Sequence, residues 1–386
     1  MLEAKSRTWT EIDLSNIEHN INEIKKLVPS TSKIMAIVKA NAYGHGAIEV
    51  AKILVNIGID FLAVSSVDEA VELRNNNINT NILILGYTPI EHFHYLKDMN
   101  LVQSALSLDY ANKLNNYAID NNTKLRVHIK LDTGMSRIGI MYVEDDKHLD
   151  EVKAVFDCKG LLVEGIFSHF SVADDLTNEE NILFTNKQKE LFDEATNLLI
   201  NDNYDIGIRH LQNSYGVLNY NDLNYEYVRP GLLIYGSTSD DAIKIKTNPN
   251  FKPVMQWFAN ISLVKNVKAN RSISYGRNFI SDKPMKIGTV AVGYADGFPR
   301  NVSNLNAKVL VKGKVVNVIG NVCMDQMMID LSNIDDVHEG DIVTIIGNSN
   351  DKTIKIDELS RLAKTINNDM FCRISYRVPR IIKNIK

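Results

Sequence analysis

The stretch IMAIVKANAYGHG, residues 34–46, decides the fold prediction, because it places a lysine where a buried strand ends. Residues 34–38 form an apolar run of the kind found in buried β-strands. The run stops at Lys39, and a turn that contains glycine, tyrosine and histidine follows at once. A lysine at a strand end usually extends its amine into water, so the use of Lys39 has to be decided from the rest of the chain.

The composition indicates a globular protein without a nucleic-acid or membrane surface. The 386 residues are 45% apolar, which is enough to bury the cores of two domains. Lys and Arg number 43 against 47 Asp and Glu, with both signs interspersed, so no basic patch for nucleic acid or anionic lipid is indicated. No apolar run approaches the roughly 18 residues of a membrane helix, and no signal-peptide pattern is present, so we expect a cytoplasmic protein. Cys158, Cys323 and Cys372 lack metal or disulfide spacing and are expected to be reduced thiols.

Short apolar runs alternate with stretches of helical spacing up to about residue 236. Eight such units are the number in a closed (β/α)₈ barrel, and the length fits the roughly 250 residues of that fold. Residues 14–28 are amphipathic and predict an additional helix that covers the barrel. The predicted strand runs are KIMAIVK, FLAVSS, NILILG, LVQSAL, RVHIKLD, EGIFSH, IRHLQNS and YVRPGLLIYG.

The pattern changes near residue 240, where β-rich runs with tight turns begin. These runs are WFANISLVKNV, KIGTVAVGYADGF, KVLVKGKVVNVIG and GDIVTIIG; one helix, IDELSRLAKTIN, and a final strand, CRISYRVPRII, follow them. The prediction is therefore an α/β chain in which residues 1–240 form a TIM-like (β/α)₈ barrel and residues 241–386 form a mostly-β domain.

Polar or small residues stand at the ends of the predicted barrel strands, where barrel enzymes carry their active sites. They are Lys39, Ser65, Gly86, Ser104, Lys130 with Asp132, His169, Asn213 with Ser214, and Arg229 with Gly231. The loops after strands seven and eight commonly bind phosphate in this fold, and here they read QNSYG and RPG. A lysine at one strand end and a phosphate cradle at another indicate pyridoxal phosphate as the cofactor.

Each requirement of pyridoxal phosphate has a candidate residue. Lys39 supplies the amine for a Schiff base, and Ser214, Gly231 and Tyr43 supply phosphate anchors. Arg229 is a candidate partner of the ring nitrogen, and its fixed positive charge would disfavour protonation of the ring. A weaker electron sink favours proton exchange at Cα over transamination.

Nine ordered motifs between about residues 8 and 380 resemble the alanine racemase family. They are VKANAYGHG, HIKLDTGMSRIG, FSHF, HLQNS, RPGLLIYG, SYGR, VGYADGFPR, VCMDQ and YRVPR. The resemblance implies a barrel followed by a β domain, a head-to-tail homodimer with shared active sites, and pyridoxal phosphate bound to Lys39. It also implies a two-base mechanism, because a single base tends to return a proton to the face from which it came. Lys39 would serve one face and Tyr275 of the partner subunit the other.

The resemblance implies roles for further residues. Arg137 is similar to the residue that contacts the cofactor's phenolic oxygen and the substrate carboxylate. Lys130 stands where much of the family has a carbamylated lysine; the alternative is an ordinary lysine paired with Asp132. His169 and His210 resemble groups that link Arg229 to the catalytic tyrosine, with satisfied core histidines as the alternative. The remaining implied residues are Asn213 and Leu232 at the cofactor and Tyr294, Met324 and Asp325 at the substrate entrance, from the partner chain.

One position departs from the family pattern. Alanine racemases carry a tyrosine four residues before a cysteine, and here Asn368 stands four residues before Cys372. Losing the ring opens space, and an amide can hydrogen-bond a hydroxyl, so the interpretation is a serine/alanine racemase of the type found in vancomycin resistance. Such enzymes are often fused to a membrane region, so the chain would be the soluble domain of a membrane-anchored parent. The alternative is a housekeeping alanine racemase in which this position has drifted.

Three other classes of protein remain open from the sequence. A fold-related decarboxylase would share the barrel and the lysine but would release CO₂ from an amino acid. A non-catalytic pyridoxal-phosphate carrier would bind cofactor without turnover, although residues 241–386 argue against a barrel-only protein. A structural or partner-binding protein would not bind the cofactor at all.

Overall fold

The computed structural model describes residues 7–384. Its helices are α1 Leu14–Leu27, α2 Lys39–Tyr43, α3 Ala47–Asn56, α4 Val67–Asn75, α5 Phe93–Asp98, α6 Leu108–Asp120, α7 Leu149–Phe156, α8 Glu179–Asn201, α9 Ser214–Asn219, α10 Ile356–Ala363 and α11 Asn367–Arg373. Short 3₁₀ helices span Ile90–His92, Leu232–Tyr235, Tyr275–Arg277, Tyr294–Asp296 and Arg300–Val302. In the described part of the chain, no helix has both the length and the apolar character needed to cross a bilayer.

The strands fall into one group before residue 240 and a second group after it. In the first half they are β1 Thr8–Asp13, β2 Lys33–Ile37, β3 Phe61–Val64, β4 Asn81–Ile84, β5 Val102–Ala105, β6 Leu125–Asp132, β7 Ile140–Val143, β8 Asp146–Lys147, β9 Leu161–Phe167, β10 Ile208–His210 and β11 Tyr227–Val228. In the second half they are β12 Met255–Val267, β13 Ser272–Ile273, β14 Phe279–Ile280, β15 Met285–Val290, β16 Lys308–Val311, β17 Lys314–Ile319, β18 Met327–Asp330, β19 Ile342–Ser349, β20 Lys352–Ile354 and β21 Arg380–Lys383.

The predicted barrel is confirmed. Its strands pair in the order β5-β4-β3-β2-β11-β10-β9-β6, and β5 pairs with β6 to close the ring. All of these pairs are parallel. Successive side chains point to opposite faces of a strand, so both faces of a barrel strand must be apolar. In β2 and the residue that follows it, Met35 and Ile37 belong to one buried cluster, and Ile34, Ala36 and Val38 belong to another.

The predicted leading helix is confirmed as α1. Asp13 caps it by accepting a hydrogen bond from the Ser15 backbone N–H at 3.0 Å. Ile17, Ile21 and Ile24 recur at helical spacing and are fully buried.

The second sheet has nine strands in the order β20-β19-β16-β17-β18-β15-β12-β1-β21. The long strand β12 also pairs with β19, which closes six of these strands into a ring. Buried side chains such as Trp257, Val309 and Ile329 fill the sheet's core. The mostly-β character predicted for this half of the chain is therefore confirmed.

The structure differs from the prediction at the two ends of the chain. Strand β1 pairs with β12 and with β21, so it lies in the second sheet although the division at residue 240 leaves it with the barrel. The predicted helix over residues 356–367 ends at Ala363 because Lys364 takes a left-handed conformation, and α11 begins at Asn367. Helix α11 and a turn occupy most of the predicted final strand, which leaves only β21 extended. The predicted limits at residues 1 and 386 lie outside the described residues.

Candidate active site

A cavity of about 450 Å³ lies at the carboxyl ends of the barrel strands. The structure brings together there most of the residues that the sequence singled out. They are Lys39, Tyr43, Lys130, Arg137, His169, Asn213, Ser214, Arg229, Gly231, Leu232 and Asn368. His210 lies behind Arg229 and does not line the cavity, and Ser104 is buried within β5, where its hydroxyl donates to the Ile84 carbonyl at 2.7 Å.

Lys39 stands at the start of an unusual backbone turn. The next four residues, 40–43, all have φ between 50° and 54°, the left-handed region, and none of them is glycine. Each such residue costs roughly 1–2 kcal/mol, so surrounding contacts must hold the turn in place. The Glu69 carboxylate accepts the backbone N–H of Ala40 at 2.5 Å and that of Ser65 at 2.7 Å, which ties the turn to the end of β3. Arg380 donates from Nε to the Gly44 carbonyl at 2.9 Å at the other end of the turn.

Sequence reasoning missed Glu69. Its only signal was an acidic residue in the first turn of a helix, a common feature with an ordinary capping role. The contact with the turn after Lys39 arises because the ends of β2 and β3 are neighbours in the barrel.

The surroundings of Lys39 favour its neutral amine. Burial, followed by the positive charge of Arg137, lowers the pKa of Lys39 from its usual value. A neutral amine is the form that can act as a nucleophile or accept a proton.

The far end of the cavity offers hydroxyl and backbone donors. The Gly231 N–H donates to the Ser214 hydroxyl at 3.0 Å, and a Cβ at Gly231 would lie 2.6 Å from the Tyr43 hydroxyl oxygen. Asn213 caps α9 by accepting the Gly216 N–H at 2.9 Å, which fixes Ser214 at the start of that helix. Leu232 begins a 3₁₀ helix beside them. Clustered N–H and O–H donors of this kind are suited to a phosphate group.

Several hydrogen-bond acceptors hold the Arg229 guanidinium beneath the cavity. Its terminal nitrogens donate to Nδ1 of His210 at 2.7 Å and Nδ1 of His169 at 3.2 Å. They also donate to the carbonyl groups of His210, Ser168 and Leu211. Because arginine only donates, His210 must accept at Nδ1 and carry its proton on Nε2. His169 has a donor facing each ring nitrogen, Arg229 at Nδ1 and the Asn213 amide nitrogen at Nε2, 3.5 Å away. Burial and the Arg229 charge hold the pKa of both histidines well below the usual value, so both are neutral.

Lys130 and Arg137 lie on the same side of the cavity. Burial, with the charges of Arg229 and Arg137, lowers the pKa of Lys130 to about 7, and the amine donates to the Leu131 carbonyl. Within residues 7–384 Lys130 makes no ion pair with Asp132, whose carboxylate accepts the Gly134 and Ser136 N–H groups instead. Arg137 lines the cavity, and the structure gives its guanidinium no acceptor within that range.

Asn368 brings α11 to the cavity wall. Its Oδ1 accepts the Ser239 hydroxyl at 2.9 Å, and its Nδ2 has no acceptor in the described chain. The neighbouring Asn367 is fully buried and donates to the Thr238 carbonyl at 2.9 Å and to Asp357 at 2.7 Å. The segment that carries Ser239 is therefore fixed to α11, and the Asn368 amide is left with a free donor.

Four predicted site residues lie away from this cavity, together on the second domain. Tyr275 is 73% exposed, Tyr294 40% and Met324 53%, and Asp325 pairs with Arg377 at 2.6 Å. Backbone bonds from Tyr294 to Cys323 and from Ala295 to Met324 join these segments, and Asn321 donates to the Tyr275 carbonyl. Residues 294–296 form a 3₁₀ helix, and Met324 is exposed.

The residues around the cavity fit pyridoxal phosphate. Lys39 supplies an amine of lowered pKa, and Arg229 supplies a buried cation. Ser214 and Gly231 form the donor cradle, and a side chain at position 231 would have no room there. The volume lies within the 300–1,000 Å³ typical of cofactor sites.

Comparisons with known proteins agree with this assignment across both halves of the chain. The family model for the alanine racemase N-terminal domain matches residues 12–239, and that for the alanine racemase C-terminal domain matches residues 254–382. The cofactor of this family is pyridoxal phosphate.

Individual relatives cover nearly the whole chain. Alanine racemase 2 of Caldanaerobacter subterraneus subsp. tengcongensis is 42% identical over 97% of this chain and 94% of its own length. Alanine racemase 1 of Clostridium acetobutylicum is 41% identical over 97% and 95%. The solved alanine racemase of Clostridium difficile 630 superposes with a TM-score of 0.89 at 36% identity, covering 98% of this chain and 96% of that one. The alanine racemase of Bacillus anthracis with bound L-Ala-P gives 0.89 at 32% identity, covering 98% and 95%. The chain belongs to the alanine racemase family.

Proposed function

We propose that this protein is a pyridoxal-phosphate-dependent racemase that interconverts L- and D-alanine and also accepts serine. The observation that carries the proposal is the convergence of Lys39, Arg229 and the Ser214–Gly231 cradle in one cavity of a chain from this family. The test is a chiral assay of both amino acids with the purified, cofactor-loaded protein. D-Alanine made in this way would supply peptidoglycan precursors.

The proposed mechanism uses one proton-transfer group on each face of the substrate. When bound, pyridoxal phosphate acidifies the Cα–H of an amino acid joined to it. The Lys39 amine, whose pKa burial lowers, would remove or return the proton on one face. The hydroxyl of Tyr275 of the partner subunit would do so on the other face. Arg137, which lacks an acceptor within residues 7–384, is free to bind the substrate carboxylate.

The positions of residues on the second domain support the proposal of a homodimer with shared sites. Of its described residues, 241–384, only Asn368 lines the cavity of its own chain. Tyr275, Tyr294 and Met324 are exposed together on another surface. We propose that this surface completes the cavity of a second copy, in the head-to-tail arrangement that the family resemblance implies.

Arg229 would steer the reaction toward racemisation. Its guanidinium is held by neutral histidines and carbonyl groups, with no carboxylate bonded to it in the described chain, so its charge is not compensated by an ion pair. A fixed cation beside the ring nitrogen disfavours ring protonation and keeps the electron sink weak.

Lys130 is proposed to be carbamylated. With its pKa lowered to about 7, much of the amine is neutral near neutral pH. The nitrogen lone pair would form a C–N bond to CO₂, one C–O π pair would move to oxygen, and a proton would leave to water. The resulting carbamate is an anion that can hold the Arg137 guanidinium in position.

We expect Lys130→Ala to lower kcat/KM by roughly 10- to 150-fold, the loss that corresponds to a charge-assisted hydrogen bond of about 1.5–3 kcal/mol. Added acetate should restore part of the activity by replacing the anion. Nuclear magnetic resonance after equilibration with ¹³C-bicarbonate should reveal a carbamate carbon in the wild type and not in the variant. A wild-type spectrum without that signal, with unchanged activity after CO₂ removal, would contradict the proposal.

Asn368 is the reason to include serine as a substrate. Because Ser239 occupies the amide oxygen, the free Nδ2 donor can bond a substrate hydroxyl. We expect Asn368→Tyr to shift the serine-to-alanine ratio of kcat/KM toward alanine by roughly 5- to 150-fold, since it removes a hydrogen bond worth on the order of 1–3 kcal/mol with steric exclusion.

The matched control for Asn368→Tyr is Asn368→Ala, which removes the amide without filling the pocket. It should lose part of the activity toward serine and keep alanine turnover. The serine proposal would be wrong if the serine-to-alanine ratio of kcat/KM changed by less than about twofold in Asn368→Tyr, or if the wild type strongly preferred alanine. The protein would then be an ordinary alanine racemase. The link to vancomycin resistance, the cytoplasmic location and a membrane-anchored parent stay predictions.

A further inference from the structure

The hydrogen-bond chain beneath Arg229 continues one residue further, into the barrel interior. His210 contacts His128, with His210 Nε2 and His128 Nδ1 2.9 Å apart. Both rings are fully buried. The other nitrogen of His128, Nε2, has no hydrogen-bond partner in the described part of the chain.

The direction of every bond in this chain is determined by Arg229. Because arginine can only donate, His210 accepts at Nδ1 and carries its proton on Nε2. That proton is donated to His128 Nδ1, so the His128 proton must be on Nε2, the nitrogen without a partner. His128 is therefore the terminal acceptor of a one-way chain from Arg229.

The backbone around His128 is arranged to place its ring there. The pairing of β6 with β9 shifts register between Val127 and His128, an irregularity that redirects side chains. Gly165 on β9 leaves the space for the ring, since a Cβ at that position would lie 2.9 Å from His128 Cε1. The Phe61 ring meets His128 edge-on at 5.6 Å. An unpaired buried N–H is costly, so an apolar side chain would be the more stable choice if only packing mattered.

We infer that His128 is a positioning residue that holds His210 in the tautomer able to accept from Arg229, and thereby fixes the guanidinium at the cofactor ring. Without an acceptor at position 128, His210 either leaves its Nε2–H unpaired or moves its proton to Nδ1, where it faces an Arg229 N–H. Either change loosens Arg229. The effect of Arg229 on the cofactor ring rests on the proposed cofactor site. The tautomer of His210 does not.

The charges around His128 keep it a neutral acceptor. Burial, together with the charges of Arg126 and Arg229, lowers the pKa of His128 to about 3. Burial and the charges of Arg229 and Lys130 act on His210 in the same direction.

The test compares His128→Gln with His128→Met, two side chains of equal length. Glutamine offers an oxygen to the His210 N–H, whereas the methionine sulfur is at best a weak acceptor. In ring-¹⁵N-histidine spectra of the cofactor-free protein, we expect His210 to keep its proton on Nε2 in the wild type and the glutamine variant. In the methionine variant we expect mixed tautomers. Pyridoxal phosphate should bind about tenfold more weakly to the methionine variant and within about threefold of wild type to the glutamine variant.

Phe61→Leu is the packing control, because it disturbs the contact with the His128 ring without touching the hydrogen bonds. It should lower thermal stability and leave the His210 tautomer unchanged. Equal behaviour of the two His128 variants, or a wild-type His210 protonated on Nδ1, would overturn the inference. If neither variant folds, wild-type spectra decide the question. Titration of His128 or His210 between about pH 6 and 8 would overturn the inference. Absence of titration, with both histidines protonated on Nε2, supports the inference. These spectra need no turnover, so they separate this inference from the proposed racemase activity.

Discussion

Lys39→Ala is expected to abolish racemisation, with a loss of roughly 10⁴-fold or more, and to remove the visible absorbance of covalently bound cofactor. The variant lacks the amine needed for covalent attachment and for proton transfer on one face. Lys130 also lines the cavity, but it is 2% exposed and its amine already donates to the Leu131 carbonyl. The absorption spectrum and a chiral assay of the purified variant measure both losses.

The matched control is Lys33→Ala, at the opposite end of the same strand. Lys33 is exposed and paired with Asp60 at 2.8 Å, so its loss should leave absorbance and turnover near wild type. Full activity in Lys39→Ala would end the assignment of a pyridoxal-phosphate racemase to this cavity.

The barrel could be predicted because its signal is local. Each strand is buried on both faces by neighbouring strands and helices, so a short apolar run is enough to predict it. The sequence of strand β1 does not indicate which sheet it joins. Its partners β12 and β21 lie hundreds of residues away in the sequence, and its periodicity does not reveal which sheet it joins.

The left-handed turn after Lys39 could not be predicted from its own residues. Ala40 and Ala42 have no preference for positive φ, and only Asn41 tolerates it well. Glu69 and Arg380 hold the turn through backbone hydrogen bonds from distant elements, and neither contact has a sequence signature.

The candidate site was predictable as far as barrel geometry places strand ends together. Lys39, Lys130 and Arg229 followed from that rule, whereas His128 was missed although RVHIKLD carries a signal for it. His128 and Lys130 stand two residues apart on one strand and therefore on the same face. A histidine on the polar face of a strand that also carries a cavity lysine is a candidate partner for the site.

Residues on the second domain could not be predicted from barrel geometry. Tyr275 and Met324 rest on the family resemblance, and their exposed location is a feature of the folded chain that no local pattern indicates.

Tyr275→Phe is expected to lower turnover by about 10²-fold or more, because it removes the proposed acid-base hydroxyl and keeps the ring. Cofactor absorbance should be retained, since the Lys39 attachment is untouched. With substrates deuterated at Cα, loss of the deuteron should be slowed far more for the L enantiomer than for the D enantiomer. Tyr204→Phe is the control, because the Tyr204 ring packs on Phe156 in the barrel at 5.0 Å. Equal, small losses in both directions would make Tyr275 a surface aromatic.

Mixing the Lys39→Ala chain with the weakly active Tyr275→Phe chain tests whether Tyr275 acts on the partner subunit. In a head-to-tail dimer, each mixed pair contains one cavity with Lys39 from one chain and Tyr275 from the other, and a second cavity that lacks both. Random association makes about half of the dimers mixed, with one competent cavity of two, so activity should return to roughly a quarter of wild type. If Tyr275 served its own chain, every cavity would lack one group. No recovery after demonstrated subunit exchange would therefore contradict the shared site while leaving the role of Lys39 intact.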